Sequence, residues 1–147
     1  MRQEHKLTSM KMIVLLSFLG VIPFYFEFFD YLLILNYQYE YQPKFRNSSF
    51  IYGSLIISFL SGMHWQKLIN DENVKLLYLP MIPVILVWSS FFFIPEIFFK
   101  IIVIIGLIWC LLMDLLILRK LNQYWFLKLR AIVTFLAVAP LFVIFFV

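Results

Sequence analysis

Three ionisable side chains, His64, Asp114 and Arg130, fall near corresponding ends of three separate hydrophobic runs. An ionisable group within a membrane span costs roughly 2.5–3.5 kcal/mol at the bilayer centre on insertion scales, so each is a candidate for function. Asp114 lies four residues before the end of its run, about 6 Å deep at 1.5 Å per residue. Helical side chains lean toward the helix N-terminus. His64 and Asp114, on helices entering from outside, therefore lean deeper, while Arg130, on a helix entering from inside, leans back toward water. A His64–Asp114 contact ranks at least level with an Asp114–Arg130 contact. Such a cluster could serve an enzyme in which His64 is the general base and Asp114 orients it. It could equally pin the inner end of a bundle, with Arg130 meeting lipid phosphates.

Glu27 and Asp30, three residues apart, share one helical face. Two carboxylates so placed could hold a cation or relay protons, although at the outer interface solvation is the ordinary outcome. No H-E-x-x-H, G-x-S-x-G, phosphate loop or G-x-G-x-x-G is present. The only histidines are His5 and His64, too few for a haem or zinc site. The single Cys110 sits inside an apolar run and supports neither a disulfide framework nor a metal site. No cofactor is expected, and the balance is against an enzyme.

The elements that must position these groups are hydrophobic helices. Of 147 residues, 64% are hydrophobic and 14% charged, with mean hydropathy +0.95. A soluble domain of this length needs far more polar surface. Strict alternation is absent and the apolar runs are too long for barrel strands. The expected architecture is an all-α integral membrane protein, a single domain over 1–147 with five spans at about 12–35, 49–65, 74–94, 97–118 and 131–147. Pro23 kinks or ends the first span, and Pro80 and Pro83 place a kink or a short interfacial turn at the start of the third. Pro95 and Glu96 suit the first turn of the fourth helix. The stretch 37–42, with its alternating tyrosines, suits an extended segment in the aromatic belt, and Arg119 to Arg130 reads as a basic connector.

Five spans divide the twelve Lys and Arg residues nine to three, the excess falling on the N-terminal side. The positive-inside rule then puts the N-terminus inside and the C-terminus outside. The net charge of +4 is dispersed between the runs, which argues against a nucleic-acid surface.

Within the second span Ser54, Ser58, Ser61, Gly62 and Trp65 recur at helical spacing. Small residues in such a stripe allow close approach of helices in lipid. This reading makes the second span the hub and expects Ser58→Leu to be more damaging than Leu55→Ala. The alternative is that the serine hydroxyls only bond carbonyls one turn back.

Leu19-Gly20-Val21-Ile22-Pro23-Phe24 resembles the opening L-G-x-x-P-F of the transmembrane protein 69-like group, small proteins of bacterial inner membranes and mitochondria. Tyr52-Gly53, Ser58-Phe59-Leu60 and Gly62-Met63-His64-Trp65 are similar to its central block, and Trp88, Asp114 and Trp125 to Thr134 to its later landmarks. Ser61 stands where the first glycine of the usual pair would be, and Gln66 where a small residue is common. The resemblance implies a membrane fold in a bacterial inner or mitochondrial inner membrane and implies no established activity. Functionally the chain reads as an accessory, structural or assembly partner of a larger membrane complex, in contact with lipid and with other subunits or its own copies. The alternatives are a small transporter or proton-conducting protein, and a lipid- or quinone-handling enzyme.

Overall fold

Proline removes a backbone donor from a helix and leaves the carbonyl four residues earlier without its partner. The fold is largely an answer to that deficit. The computed structural model describes residues 2–36, 45–70, 76–120 and 124–146, and the side chains of all these except 2–9, 34–36 and 118–120. These residues form α1 (Arg2–Leu19), a 3-10 segment (Ile22–Tyr25), α2 (Phe26–Asn36), α3 (Ser48–Asn70), α4 (Met81–Phe93), α5 (Glu96–Lys120) and α6 (Tyr124–Phe146). There is no strand among them. The expected tyrosine-rich segment at 37–42 lies outside the described residues.

Pro23 breaks the first run. The amide of Phe24 turns to the carbonyl of Val21 at 3.1 Å, a tightened 3-10 bond that leaves the Gly20 carbonyl free. The hydroxyl of Tyr52 on α3 donates to that carbonyl at 3.1 Å. Pro140, inside α6, removes the amide that would bond Leu136. The hydroxyl of Tyr25 donates to the Leu136 carbonyl at 3.1 Å. Pro83 in turn leaves Leu79 without an amide four residues on, and the indole of Trp109 on α5 donates to the Leu79 carbonyl at 3.2 Å. In lipid no water can serve these groups, so neighbouring helices must. The aromatic donors therefore tie α3 to the first break, the 3-10 segment to α6, and α5 to the entrance of α4.

Several limits differ from the sequence expectation for local reasons. The first run breaks at Gly20 and resumes as α2 after Pro23, so the carboxylates of α2 stay on a helix. Helix α4 begins only at Met81, because Leu76 to Pro80 make turns, with Leu79 N bonded to Leu76 O and Met81 N to Tyr78 O. The stretch 119–130 is not all connector, since α6 starts at Tyr124. Arg130 therefore sits in its second turn.

Helix α5 packs against α3, α4 and α6, and α3 also touches the 3-10 segment and α2. The core gathers Phe24, Phe50, Ile57, Leu60, Val103, Leu107 and Leu141, with a smaller cluster of Leu68, Met113 and Ile117 at one end. The α3–α5 contact depends on two glycines. A Cβ on Gly53 would lie 2.8 Å from Val103 Cγ1, and one on Gly106 would lie 2.7 Å from Ile57 Cδ1. Both glycines are small residues at the helix crossing, where Ser54 and Ser58 are not.

Among the described residues three helices are long and apolar enough to cross a membrane: Met10–Leu33, which contains the proline break, Glu96–Ile117 and Tyr124–Phe146. Helix α4 is apolar but shorter. Helix α3 has the length at 23 residues, but its serines, glycines and histidine make it more polar.

Candidate functional site

The face that α3 turns inward is set by Ser49, Gly53, Ile57, Leu60, Ser61, His64 and Leu68, all buried. Their spacing of three and four residues is that of one helical face. At its far end His64 meets Asp114 of α5, with Nε2 2.8 Å from Oδ1. The second carboxylate oxygen, Oδ2, accepts from Nε of Arg130 on α6 at 2.7 Å. All three side chains are at least 85% buried, with exposures of 7%, 8% and 15%. Three helices thus meet on one carboxylate. With Asp114 ionised, His64 donates from Nε2, and its Nδ1 is buried without a partner. The arginine is similarly incomplete, since its Nη2 is buried with no acceptor.

Asp114 Oδ1 already holds His64 by Nε2, so only the buried Nδ1 could act as a base, and His64 lines none of the cavities of about 390, 250 and 200 Å³. A general base must reach its proton within hydrogen-bond distance or through one water. Arg130 does line a cavity, the one of about 250 Å³ between α1, α3 and α6.

The acidic pair, expected to be solvated, is buried: Glu27 is 2% and Asp30 3% exposed. The reason is the start of α3, whose first amides have no carbonyl to bond within the helix. Glu27 Oε1 accepts from the amide of Asn47 at 2.9 Å and Oε2 from that of Ser49 at 3.3 Å. Asp30 Oδ2 accepts from the amide of Phe45 at 2.9 Å, and the Ser49 hydroxyl donates back to the Phe24 carbonyl at 3.0 Å. Asn47 holds a left-handed turn at φ 61°, a conformation that asparagine tolerates better than most residues. Glu27 is a helix cap supplied by another helix, and its charge sits favourably at the positive end of the α3 dipole. Lys100 of α5 bonds Glu96 at 3.1 Å and lies over the Phe50 ring, 5.3 Å from its centroid.

Only part of the serine stripe faces the core of the chain. Ser58, Gly62 and Trp65 are exposed and Ser54 is half-buried; only Ser61 faces the core. Nothing lies within 4 Å of a Cβ built on Gly62. Ser54 donates to the Ile51 carbonyl at 2.6 Å and Ser58 to the Ser54 carbonyl at 3.1 Å. Their hydroxyls need no partner helix, which is why serine spacing is an ambiguous signal. Ser54 and Ser58 line the groove of about 390 Å³ between α3 and α4, beside Trp88 and Phe91. The glycines that do the packing, Gly53 and Gly106, escaped a reading based on serine spacing. A usable signal was present. His64 is the ionisable group of α3 that precedes its polar end at Gln66 and Lys67, such groups face the bundle interior, and counting back from it by threes and fours reaches Gly53 and Ser49.

Among the described residues no three His, Cys, Asp or Glu side chains are gathered to hold a metal ion. Cys110 is buried within α5. Comparison with curated proteins and with solved structures gives no match. A family profile, however, covers almost the whole chain, from the middle of α1 to the end of α6. By that match over residues 9–146 the chain belongs to the family of proteins of unknown function DUF3429.

Proposed function

We propose that this protein works without catalysing a reaction, as a five-span membrane protein that acts through helix contacts in a larger membrane complex. The role is that of an accessory or assembly partner. The observation that supports it is how the intramembrane charges are used. Asp114 gives one oxygen to α3 and the other to α6, and Glu27 gives both of its oxygens to the amides at the start of α3. Carboxylates committed to holding helices together are poor relays for protons or ions, so the transporter reading draws less support. The lipid- or quinone-handling enzyme draws less still, because its base would be His64.

Meanwhile the exterior is broadly apolar, with Trp88, Phe91, Phe92 and Phe93 all more than half exposed. Such a surface suits lipid and the helices of other membrane subunits or of further copies. The positive-inside count favours an N-terminus inside and a C-terminus outside. The likeness to the transmembrane protein 69-like group favours a bacterial inner membrane or a mitochondrial inner membrane. Extraction in mild detergent, cross-linking and native electrophoresis test the proposal. The expected result is a defined species larger than one chain. A strictly monomeric protein with no copurifying partner sinks it.

A further inference from the structure

The cavity between α1, α3 and α6 joins two features that are rarely combined in a membrane bundle. Its walls are mainly apolar, with Leu16 of α1, Ile56 and Phe59 of α3, and Val133 of α6, beside the hydroxyl residues Ser17 and Thr134. One end is the side chain of Arg130. Its Nε is fixed on Asp114 at 2.7 Å, and its Nη2 is buried without an acceptor. The guanidinium is therefore oriented but not fully bonded. Leu16 and Phe59 are also well exposed on the outside of the bundle, so the groove is reached from the surface that lipid would cover.

We propose that this groove binds one anionic phospholipid, its phosphate taken by the Arg130 guanidinium and a segment of one acyl chain lying against the apolar wall. Three considerations favour that occupant. Guanidinium recognises phosphate through paired N–H donors, and of the Arg130 side chain, which lines the groove, only Nε is bonded. Arg130 lies six residues after Tyr124 and five after Trp125, both exposed, residues that settle at headgroup level. Lys11, five residues before Leu16 on α1, and Lys128 are both exposed at the same end, adding positive charge that favours an anionic headgroup over a zwitterionic one. The volume of about 250 Å³ is below the roughly 300–1,000 Å³ of pockets that enclose a whole small molecule. It fits part of one chain. This site is independent of any protein partner, so it stands or falls separately from the assembly role.

The test is native mass spectrometry of the intact chain in detergent, offered equimolar phosphatidylglycerol and phosphatidylcholine. The expected result is one phosphatidylglycerol per chain, retained at least about tenfold over phosphatidylcholine. Val133→Trp, which fills the groove and leaves the Asp114–Arg130 bond in place, should abolish the preference while unfolding in lipid-free detergent as the parent does. Should that variant fold poorly, Ile56→Trp blocks the opposite wall and must give the same loss. Arg130→Gln should lose it too. Equal retention of the two lipids by the parent overturns the proposal, as does a preference that survives both a groove-filling variant and Arg130→Gln. Inorganic phosphate is the remaining arm: if it alone raises the unfolding midpoint as much as phosphatidylglycerol does, the groove contributes nothing and a lipid site is refuted.

Discussion

Tyr25 and Pro140 should behave as one unit. Pro140 leaves the Leu136 carbonyl without a helical partner, and the Tyr25 hydroxyl supplies one from 3.1 Å away. Tyr25→Phe removes the oxygen and keeps the ring, whose edge packs on Phe28 with centroids 6.4 Å apart. An orphaned buried acceptor costs about 1–3 kcal/mol in proteins generally. Interhelical hydrogen bonds within membrane bundles average about 0.6 and reach about 1.7 kcal/mol. The expected penalty for Tyr25→Phe is where these ranges overlap, about 1–1.7 kcal/mol. Pro140→Ala restores an amide to the ladder, so the carbonyl no longer needs the tyrosine. In that background Tyr25→Phe should cost close to nothing, giving a coupling of about 1 kcal/mol or somewhat more. Reversible unfolding of the four proteins by SDS titration, followed by helical circular dichroism in one micelle composition, measures the cycle. If Tyr25→Phe costs the same with and without Pro140, the hydroxyl is not serving a proline-freed carbonyl and the account of the helix breaks is wrong.

Gly62→Ala should stabilise by about 0.8–1 kcal/mol, the ordinary gain in helix propensity, because the added methyl meets nothing. Gly53→Ala gains the same propensity but drives a methyl to 2.8 Å from Val103, an overpacking penalty of about 1–3 kcal/mol; SDS titration should therefore rank it below Gly62→Ala, and the reverse order would restore the serine-stripe face. Asp114→Asn should cost about 3–5 kcal/mol by the same measurement, the usual result of breaking a buried pair and stranding Arg130, and Asp114→Leu with Arg130→Met together should recover most of it. Glu27→Ala strands the amides of Asn47 and Ser49, at about 1–3 kcal/mol each; Glu27→Gln keeps one acceptor, so its thermal midpoint in detergent should fall between those of the parent and the alanine variant.

The groups that had to be buried in lipid were readable from sequence, because their cost there is high whatever the fold. His64, Asp114 and Arg130 fall at matching depths on three runs, and the structure brings all three onto one carboxylate. Pro23 announced a kink or end in the first run, and Pro80 and Pro83 a kink or turn at the start of the third, for the same kind of reason: a missing amide is local. What sequence could not settle was rotation. Ser58 and Gly53 lie on adjacent faces of α3, and a serine can satisfy itself within one turn of its own helix. Nor could it reveal that Glu27 would find amides, since those belong to a chain segment about twenty residues further on and become neighbours only when α2 and α3 fold together.

The rotation of α3 then follows from its two ends. The helix has the length to span but is too polar to stand with the three helices apolar enough to cross a membrane, so some of its faces are poor company for lipid. At the N-terminal end its amides are held by Glu27 of α2, and near the other end His64 is held by Asp114 of α5. Either anchor alone would leave the helix free to turn. Together they fix Gly53 and Ile57 against α5, where Gly53 leaves space for Val103, Gly106 leaves space for Ile57, and neither leaves room for a methyl group more. Because Asp114 also takes Arg130, the setting of α3 and that of α6 are decided by the same side chain. A change at Asp114 should therefore loosen the α3–α5 crossing and open the Arg130 end of the groove at once, whereas a change at Glu27 should disturb the first without the second.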